Sequence, residues 1–136
     1  MSGLILCPCH SGKTYQACCE PYHKGALAVP NALILMRSRY SAYALDLVDY
    51  ILATTHPDHP DATQPLKERK NSIHYFCKQT QFVGLDILEF HEALPYSTVT
   101  FYAHLIQKGK DASFTEKSEF ALKEGRWLYR RAIHKN

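Results

Sequence analysis

Four cysteines near the start of the sequence carry its clearest chemistry. They form a C-x-C pair, eight further residues and then an adjacent pair: Cys7, Cys9, Cys18 and Cys19, within CPCHSGKTYQACC. Zinc in a structural site binds four ligands tetrahedrally, so two close thiol pairs joined by a short loop can hold the ion from two sides. Because four thiolates complete the coordination, the spacing predicts structural Zn²⁺ with no open position for catalysis.

Three alternatives remain open for this segment. His10 or His23 could replace one cysteine in a Cys₃His site, and a tetrahedral set of four sulfurs suits iron as well as zinc. The third alternative is an unmetallated, thiol-rich loop or a redox pair, although so small a loop has no core to hold it together without an ion. Cys77, the fifth cysteine, lies in a helical pattern and is predicted to be a buried, inert thiol.

A second set of polar residues could form the centre of a pocket. Arg37, Arg39 and Tyr40 lie within one turn of a predicted helix. Glu116 and Ser118 fall on the apolar face of a predicted strand. Since an inward carboxylate is costly unless it is paired, we expect one of the two arginines to bind Glu116 in a bidentate way. The result would be either a buried ion pair that fixes the helix on the sheet, or a polar centre that binds a small ligand.

Aromatic residues would form the wall of this pocket, and they are Tyr43, Phe101, Trp127 and Tyr129. If the domain is an enzyme, Glu116 is the candidate base or anchor. His56, which precedes Pro57 at the end of a helix, is the other catalytic candidate, because imidazole titrates near neutral pH. His59 and the remaining histidines are predicted to be loop, surface or hydrogen-bonded core residues. Neither a glycine-rich phosphate loop nor a Gly-x-Ser-x-Gly motif occurs, and the sequence favours a protein that is not an enzyme.

The hydrophobic pattern predicts helices in the first half of the chain. Asn31 is a suitable N-cap for a helix with apolar residues at helical spacing: Leu33, Met36, Tyr40, Tyr43 and Leu47. A second helical stretch covers residues 46–54 and is followed by a proline-rich loop. Pro65 suits the first turn of a third helix, whose inner face is predicted to contain Leu66, Arg69, Ile73, Phe76 and Cys77.

From Phe82 onward the pattern changes to the alternation that is typical of strands. A change of phase near Ile87 predicts a bulge in the first strand. Two further strands alternate cleanly, with Val99, Phe101, Ala103 and Leu105 inward in one, and Phe114, Glu116, Ser118, Phe120 and Leu122 inward in the next. Residues 127–133 form a last strand. Helices followed by an antiparallel meander predict an α+β domain, in which a curved sheet wraps the helices as a cone with a pocket inside.

Composition limits the classes of protein to which the chain can belong. Its 136 residues suffice for one globular domain with a small appendage, and 46% of them are hydrophobic. A net charge of +3 gives no strong nucleic-acid signal. The first residues lack the charged region of a signal peptide, and no apolar run approaches the roughly 20 residues of a membrane helix. We therefore expect a cytoplasmic protein without a membrane span, whose cysteines bind a metal or remain free thiols.

The cysteine segment resembles a known motif. Cys7-Pro-Cys9, Ser11-Gly12-Lys13, Tyr15 and Cys18-Cys19 look like the SEC-C motif found at the C-terminus of the SecA preprotein translocase. This resemblance implies a zinc ion held by all four cysteines. The glycines that usually follow the second cysteine and the final pair are His10 and Glu20 here, and both departures leave the ligands intact.

The rest of the chain resembles the YchJ-like family of uncharacterised bacterial proteins. The resemblance is carried by LMRSRYSAY (35–43), Asp49-Tyr50, Thr54-Thr55-His56-Pro57, Gly84-Leu85, EKSEF (116–120) and GRWLY (125–129). It implies a SEC-C knuckle and connector in residues 1–28, and an α+β domain like nuclear transport factor 2 (cystatin-like) in residues 29–136. Thr55 departs from the family, which often has an aromatic residue there, and this departure would change the pocket wall.

Three functions agree with these observations. The first is a zinc-binding interaction or adaptor module, whose likeness to SecA implies protein-export or ribosome-associated partners. The second is a small-molecule-binding domain or enzyme that uses the cone around Glu116. In the third, the knuckle only staples the start of the chain to the domain and so stabilises it.

Overall fold

The computed structural model describes residues 5–136, and helices precede strands along the chain. The helices are α1 (Glu20–His23), α2 (Ala32–Ala44), α3 (Val48–Ala53) and α4 (Leu66–Gln79), with short 3₁₀ turns at Tyr15–Ala17 and Pro60–Thr63. The strands are β1 (Thr80–His91), β2 (Tyr96–Gln107), β3 (Lys110–Asp111), β4 (Phe114–Lys123) and β5 (Arg126–Lys135). None of the helices within residues 5–136 has the length and apolar character needed to cross a bilayer.

The cysteine loop packs beside α2 as a small unit that is separate from the main core. Its two arms meet at an antiparallel bridge between Leu6 and Thr14, and the chain then turns through the first 3₁₀ segment into α1. Gly12 has a φ of 88°, in the left-handed region that glycine enters without steric cost. The loop therefore closes on itself, with its sulfurs gathered inside.

The first predicted helix is α2, and its capping is confirmed. Asn31 is the N-cap, and its Oδ1 accepts a hydrogen bond from the backbone N–H of Ile34 at 2.9 Å. The prediction that Leu47 belongs to this helix is wrong, because α2 ends at Ala44. Asp46 takes a φ of 60° there, and this left-handed conformation cannot continue a right-handed helix. The predicted second helix is α3, shorter at both ends than expected.

The third predicted helix is α4, with Pro65 as its N-cap rather than inside its first turn. Cys77 is buried and Phe76 is half-buried against the core, as the pattern predicted. The inward assignment of Leu66 is wrong, since 57% of this residue is exposed. Leu66 lies in the first turn beside the exposed proline-rich loop, before the helix reaches the sheet.

All main strand pairs are antiparallel, in the order β1-β2-β4-β5, and β3 pairs with the far end of β2. The predicted bulge near Ile87 is confirmed as a register shift between Ile87 and Glu89. A further shift lies at the start of β1, where Tyr40 Oη donates to the Gly84 carbonyl oxygen at 2.7 Å and accepts from the Gly84 N–H at 3.2 Å. This second bulge is thus held on α2 by one hydroxyl, and such shifts bend the sheet.

The core lies between α2 and the concave face of the curved sheet. Its buried sheet residues include the alternating inward positions predicted for β2, which are Val99, Phe101, Ala103 and Leu105. Leu35, Met36 and Tyr40 pack against them from α2. The α+β fold with helices on a curved antiparallel sheet is confirmed. Between the helices and the sheet, two cavities lie beside Arg39 and Tyr129.

Candidate functional site

The structure brings the four predicted cysteines together. Their Sγ atoms all lie within 4.8 Å of one another, and Cys18 Sγ is 3.6 Å from Cys9 Sγ and 3.9 Å from Cys19 Sγ. A tetrahedral zinc ion with bonds of about 2.3 Å separates its sulfurs by about 3.8 Å, so these distances fit one ion. The cluster and its surrounding motif indicate a metal site.

The thiols share one small, mostly buried volume, and their pKa values diverge for that reason. Cys9 is completely buried, and hydrogen bonds from Cys19 and Cys7 hold the pKa of its thiol well below the ordinary value. The pKa of Cys19 is raised by its hydrogen bonds with Cys7 and Cys9 and by burial. At Cys7 the hydrogen bond with Cys19 lowers the pKa, but Cys9 and burial outweigh it and raise the pKa to about 11. Cys9 therefore ionises more readily than Cys7 and Cys19, and a cation is needed to ionise those two.

His23 is a hydrogen-bonded link rather than a member of the sulfur cluster. Its Nε2 lies 2.8 Å from the Ser38 carbonyl oxygen, which can only accept, so Nε2 carries the proton. Its Nδ1 then accepts from Tyr15 Oη at 2.7 Å. Burial lowers the pKa of His23 and keeps the ring neutral. Both ring nitrogens are thus used in joining the cysteine loop to α2, and the Cys₃His alternative with His23 is not the arrangement observed.

His10 and Arg37 add two more links between the loop and the domain. His10 Nε2 lies 3.2 Å from the Phe82 carbonyl oxygen, and Arg37 Nη1 donates to the Cys9 carbonyl oxygen at 3.2 Å. His10 has a φ of 63°, which explains why a glycine is usual at this position of the motif. Arg37 was predicted to line the pocket, but the structure places its guanidinium on the other side of α2, against the loop.

We expect His23→Ala to lower the free energy of unfolding by about 2 kcal/mol, since it removes the hydrogen bond to the Ser38 carbonyl oxygen and leaves the Tyr15 hydroxyl without its partner. Urea denaturation followed by circular dichroism measures this change. His10→Gly is the matched control: it removes another imidazole–carbonyl contact, but at an exposed position where glycine relieves the positive φ. An equal loss in both variants would contradict the role assigned to His23.

A cavity of about 100 Å³ lies on the concave face of the sheet. Six of the nine predicted pocket residues line it: Arg39, Tyr40, Tyr43, Phe101, Glu116 and Tyr129. Ser118 lies beneath the lining and bonds Glu116. Trp127 faces a different groove, beside Tyr22 and Val29. Trp127 shares a strand face with Tyr129, but two residues move it about 7 Å along β5, beyond the cavity.

Glu116 is buried, and its partners differ from those predicted. Its Oε2 accepts hydrogen bonds from Ser118 Oγ and, at 2.8 Å, from Tyr129 Oη. Burial and the neighbouring Glu116 charge raise the pKa of Tyr129, so the phenol stays protonated and donates. The direct arginine pair is not formed: within residues 5–136, the arginine ion pairs are those of Arg130 and Arg131.

Arg39 instead binds the end of α3. Its Nη1 donates to the Ile51 carbonyl oxygen at 3.1 Å, to Thr54 Oγ1 at 2.8 Å and to Thr55 Oγ1 at 3.2 Å. The guanidinium also lies over the Tyr129 ring, 4.8 Å from its centroid. Thr55, the departure from the family pattern, is therefore a polar contact for Arg39 and a part of the cavity wall.

The positions of the two loop histidines are the reverse of those that the sequence suggested, because His59 borders a cavity and His56 does not. His56 accepts a hydrogen bond from the Asp58 N–H at 2.9 Å through Nδ1, and does not line the cavities shared by Arg39 and Tyr129. His59 lines a second cavity of about 180 Å³, and its ring lies 5.3 Å from that of Tyr129. The sequence indicated this position of His59 only weakly. The one signal was that the proline-rich loop that contains it joins α3 to α4 and has to cross the open end of the sheet.

Comparison with known proteins gives matches along nearly the whole chain. Residues 31–132 match the family model described as YchJ, middle NTF2-like domain, and residues 6–21 match the SEC-C motif. A UPF0225 protein from Serratia proteamaculans is 41% identical over 129 residues, which cover 91% of this chain and 80% of the relative.

Two solved structures are similar over more than nine-tenths of the chain. The solution structure of a SEC-C motif containing protein from Rhodopseudomonas palustris is 34% identical, with a TM-score of 0.82, covering 93% of this chain and 95% of the other. The crystal structure of a SEC-C motif containing protein from Psychrobacter arcticus is 26% identical, with a TM-score of 0.76, covering 91% of this chain and 79% of the other.

Proposed function

The chain belongs to the YchJ family with an NTF2-like middle domain and a SEC-C motif, and from that premise we propose a zinc-stapled protein-interaction module. The observation that carries this proposal is the set of four sulfurs within 4.8 Å of one another, supplied by Cys7, Cys9, Cys18 and Cys19. Four thiolates fill the coordination of Zn²⁺, so the ion is structural and the knuckle acts through its surface. The proposed location is the cytoplasm, where reducing conditions keep the thiols free.

Exposed apolar side chains beside the sulfurs support a partner-binding surface. Ile5 and Leu6 are 67% and 64% exposed, directly before the first metal ligand. Their backbone is fixed by the bridge to Thr14 and by the hydrogen bond from the Tyr15 N–H to the Ile5 carbonyl oxygen at 2.8 Å. A rigid pair of exposed aliphatic residues suits a protein partner. The likeness of the motif to that of SecA favours a partner in protein export or at the ribosome.

The metal itself is tested on the protein purified without added metal. Elemental analysis should find one zinc per chain, and X-ray absorption should find four sulfurs at about 2.3 Å. Iron at equal stoichiometry would replace zinc in the proposal. A chain that binds neither ion would overturn it.

The partner surface is tested by co-sedimentation with purified ribosomes and by binding to purified translocase. Leu6→Glu should abolish the interaction that the wild-type chain shows. The matched control is Leu88→Glu, which places the same charge on a 58% exposed leucine of β1. Equal binding by both variants, or no binding by the wild type to either assembly, would reject this surface.

A second candidate function is small-molecule binding in the cone, and one observation favours it. A buried carboxylate, Glu116, borders a cavity lined mainly by apolar and aromatic side chains and forms no ion pair within residues 5–136, which is costly unless a ligand uses it. Glu116 would then be the base or anchor for a ligand that donates a hydrogen bond or carries a positive charge.

We expect Glu116→Gln to raise the free energy of unfolding by about 1 kcal/mol, because the amide oxygen can still accept from Ser118 and Tyr129 while the buried charge is removed. Glu119→Gln is the matched control on the same strand. It breaks the pairs with Arg130 and Arg131 and should lower stability by about 1 kcal/mol. Urea denaturation measures both. A destabilised Glu116→Gln variant would show that the carboxylate is a structural acceptor and would count against an anchor role.

A further inference from the structure

The second cavity, of about 180 Å³, has a chemistry distinct from that of the apolar cone. It lies between α2, the loop before α4 and α4, and adjoins the first cavity across Arg39, Tyr43 and Tyr129. Its lining includes polar side chains, among them Arg39 and Arg69, while Ile51 and Ile73 contribute apolar surface. Two guanidinium groups therefore border one small space.

Arg39 brings to this cavity a buried positive charge that forms no ion pair within residues 5–136. Only 7% of the residue is exposed, and its three hydrogen bonds within residues 5–136 all start at Nη1 and end on uncharged oxygens. Its Nε and Nη2 keep their donor capacity. Within residues 5–136, Asp46 Oδ1 is the one side-chain polar atom that is fully buried and has no hydrogen-bond partner. The unbonded Nε and Nη2 of Arg39 are therefore not fully buried, and they face accessible space. A buried guanidinium with free donors is well suited to hold an anion.

The other charged groups at the cavity leave room for an anion. Arg69 is half-buried on α4 and forms no ion pair within residues 5–136. Asp61 is the carboxylate among the lining residues, but its side chain is 61% exposed and lies beside His59 Nδ1 at 4.0 Å. Burial lowers the pKa of His59, and the charges of Arg39 and Arg69 act in the same direction, against those of Asp61 and Glu116. The ring is therefore neutral. Neither carboxylate pairs with Arg39 or Arg69, because Asp61 lies at the exposed rim and Glu116 is held by Ser118 and Tyr129, so both guanidinium groups remain available to an anion.

We propose that this cavity binds a small organic carboxylate. The carboxylate group accepts hydrogen bonds from Arg39 and Arg69, and the body of the ligand packs on Tyr43 and the two isoleucines. A cavity of about 150 Å³ accommodates benzene, so the volume here suits a carboxylate with one ring or a short aliphatic chain. The site needs neither the metal nor Glu116, and it is separate from the protein-binding surface proposed for the knuckle.

Calorimetric titration of the full, metal-loaded chain with benzoate tests the proposal, with benzamide as the uncharged isostere. Benzoate should bind with a Kd near or below about 1 mM, and benzamide at least tenfold more weakly. Arg69→Gln should weaken benzoate binding at least tenfold. Lys67→Gln is the matched control, since it removes the same charge from an exposed position of α4 and should change the Kd less than twofold.

Each other result would overturn a defined part of the proposal. Equal binding of benzoate and benzamide would exclude recognition of the charge. If inorganic phosphate competes as strongly as benzoate, the site recognises small anions in general and is not specific for carboxylates. No heat of binding at about 10 mM benzoate, or equal weakening by the two variants, would remove the site. Circular dichroism of each variant shows that a lost affinity is not a lost fold.

Discussion

Chelation of the metal is expected to lower the thermal midpoint of the whole protein by about 6 to 12 °C. Without an ion the cysteine loop has no core, and it should lose the contacts of His23, His10 and Arg37 with their carbonyl partners. Each such contact contributes about 0.5–1.5 kcal/mol, so the loss amounts to about 2–4 kcal/mol. Differential scanning calorimetry with and without a strong chelator measures the shift, and added zinc should reverse it.

Two cysteine variants separate the metal from general damage to the fold. Cys18→Ser should show the low midpoint without chelator and no further response to it. Cys77→Ser is the matched control, because Cys77 is a buried thiol outside the cluster, and burial raises its pKa to about 12. This variant should keep its zinc and the full response. If the chelator removes zinc without changing the midpoint, the knuckle is not a staple for the domain.

Zinc binding should also release protons. The pKa of Cys7 is about 11, and that of Cys19 is raised as well, so both thiols are protonated at neutral pH in the metal-free protein. They bind zinc only as thiolates, and the affinity therefore falls as the pH is lowered. A zinc affinity that is independent of pH would contradict the thiolate assignment.

The features that sequence predicted well are those set by local interactions. The alternation from Val99 to Leu105 determines which face of β2 is buried, and the N-cap at Asn31 needs only its own first turn. The phase change at Ile87 marked a real bulge for the same reason. Cysteine spacing identified the sulfur cluster because the loop that joins the pairs is short.

The composition of the cavities depends on distant geometry, and there prediction failed. Arg37 and Arg39 are separated by about 200° around a helix, so at most one of them can face the sheet, and the sequence does not say which. Glu116 is satisfied by Ser118 and Tyr129, two hydroxyls whose approach depends on the registers of β4 and β5. Likewise, the role of His59 follows from the path of a loop without hydrophobic periodicity.

Replacing Arg39 should have a large effect on the stability of the NTF2-like domain. We expect Arg39→Met to lower the free energy of unfolding by about 3 kcal/mol and the midpoint by about 9 °C. Methionine fills a similar length but cannot bond the Ile51 carbonyl oxygen, Thr54 or Thr55. It also removes a cation from the C-terminal end of α3, where a positive charge complements the helix dipole.

Arg37→Met is the matched control, because it removes the same group from the same helix at a position with one hydrogen bond, to the Cys9 carbonyl oxygen. It should cost less than about 1 kcal/mol. Arg39→Lys should fall between the two, since the charge remains but a single ammonium cannot reproduce the several contacts of a guanidinium over the Tyr129 ring. Urea denaturation ranks the three variants. If Arg39→Met is neutral or stabilising, the cost of burying this charge exceeds the strength of its bonds, and the guanidinium is retained for binding rather than for folding.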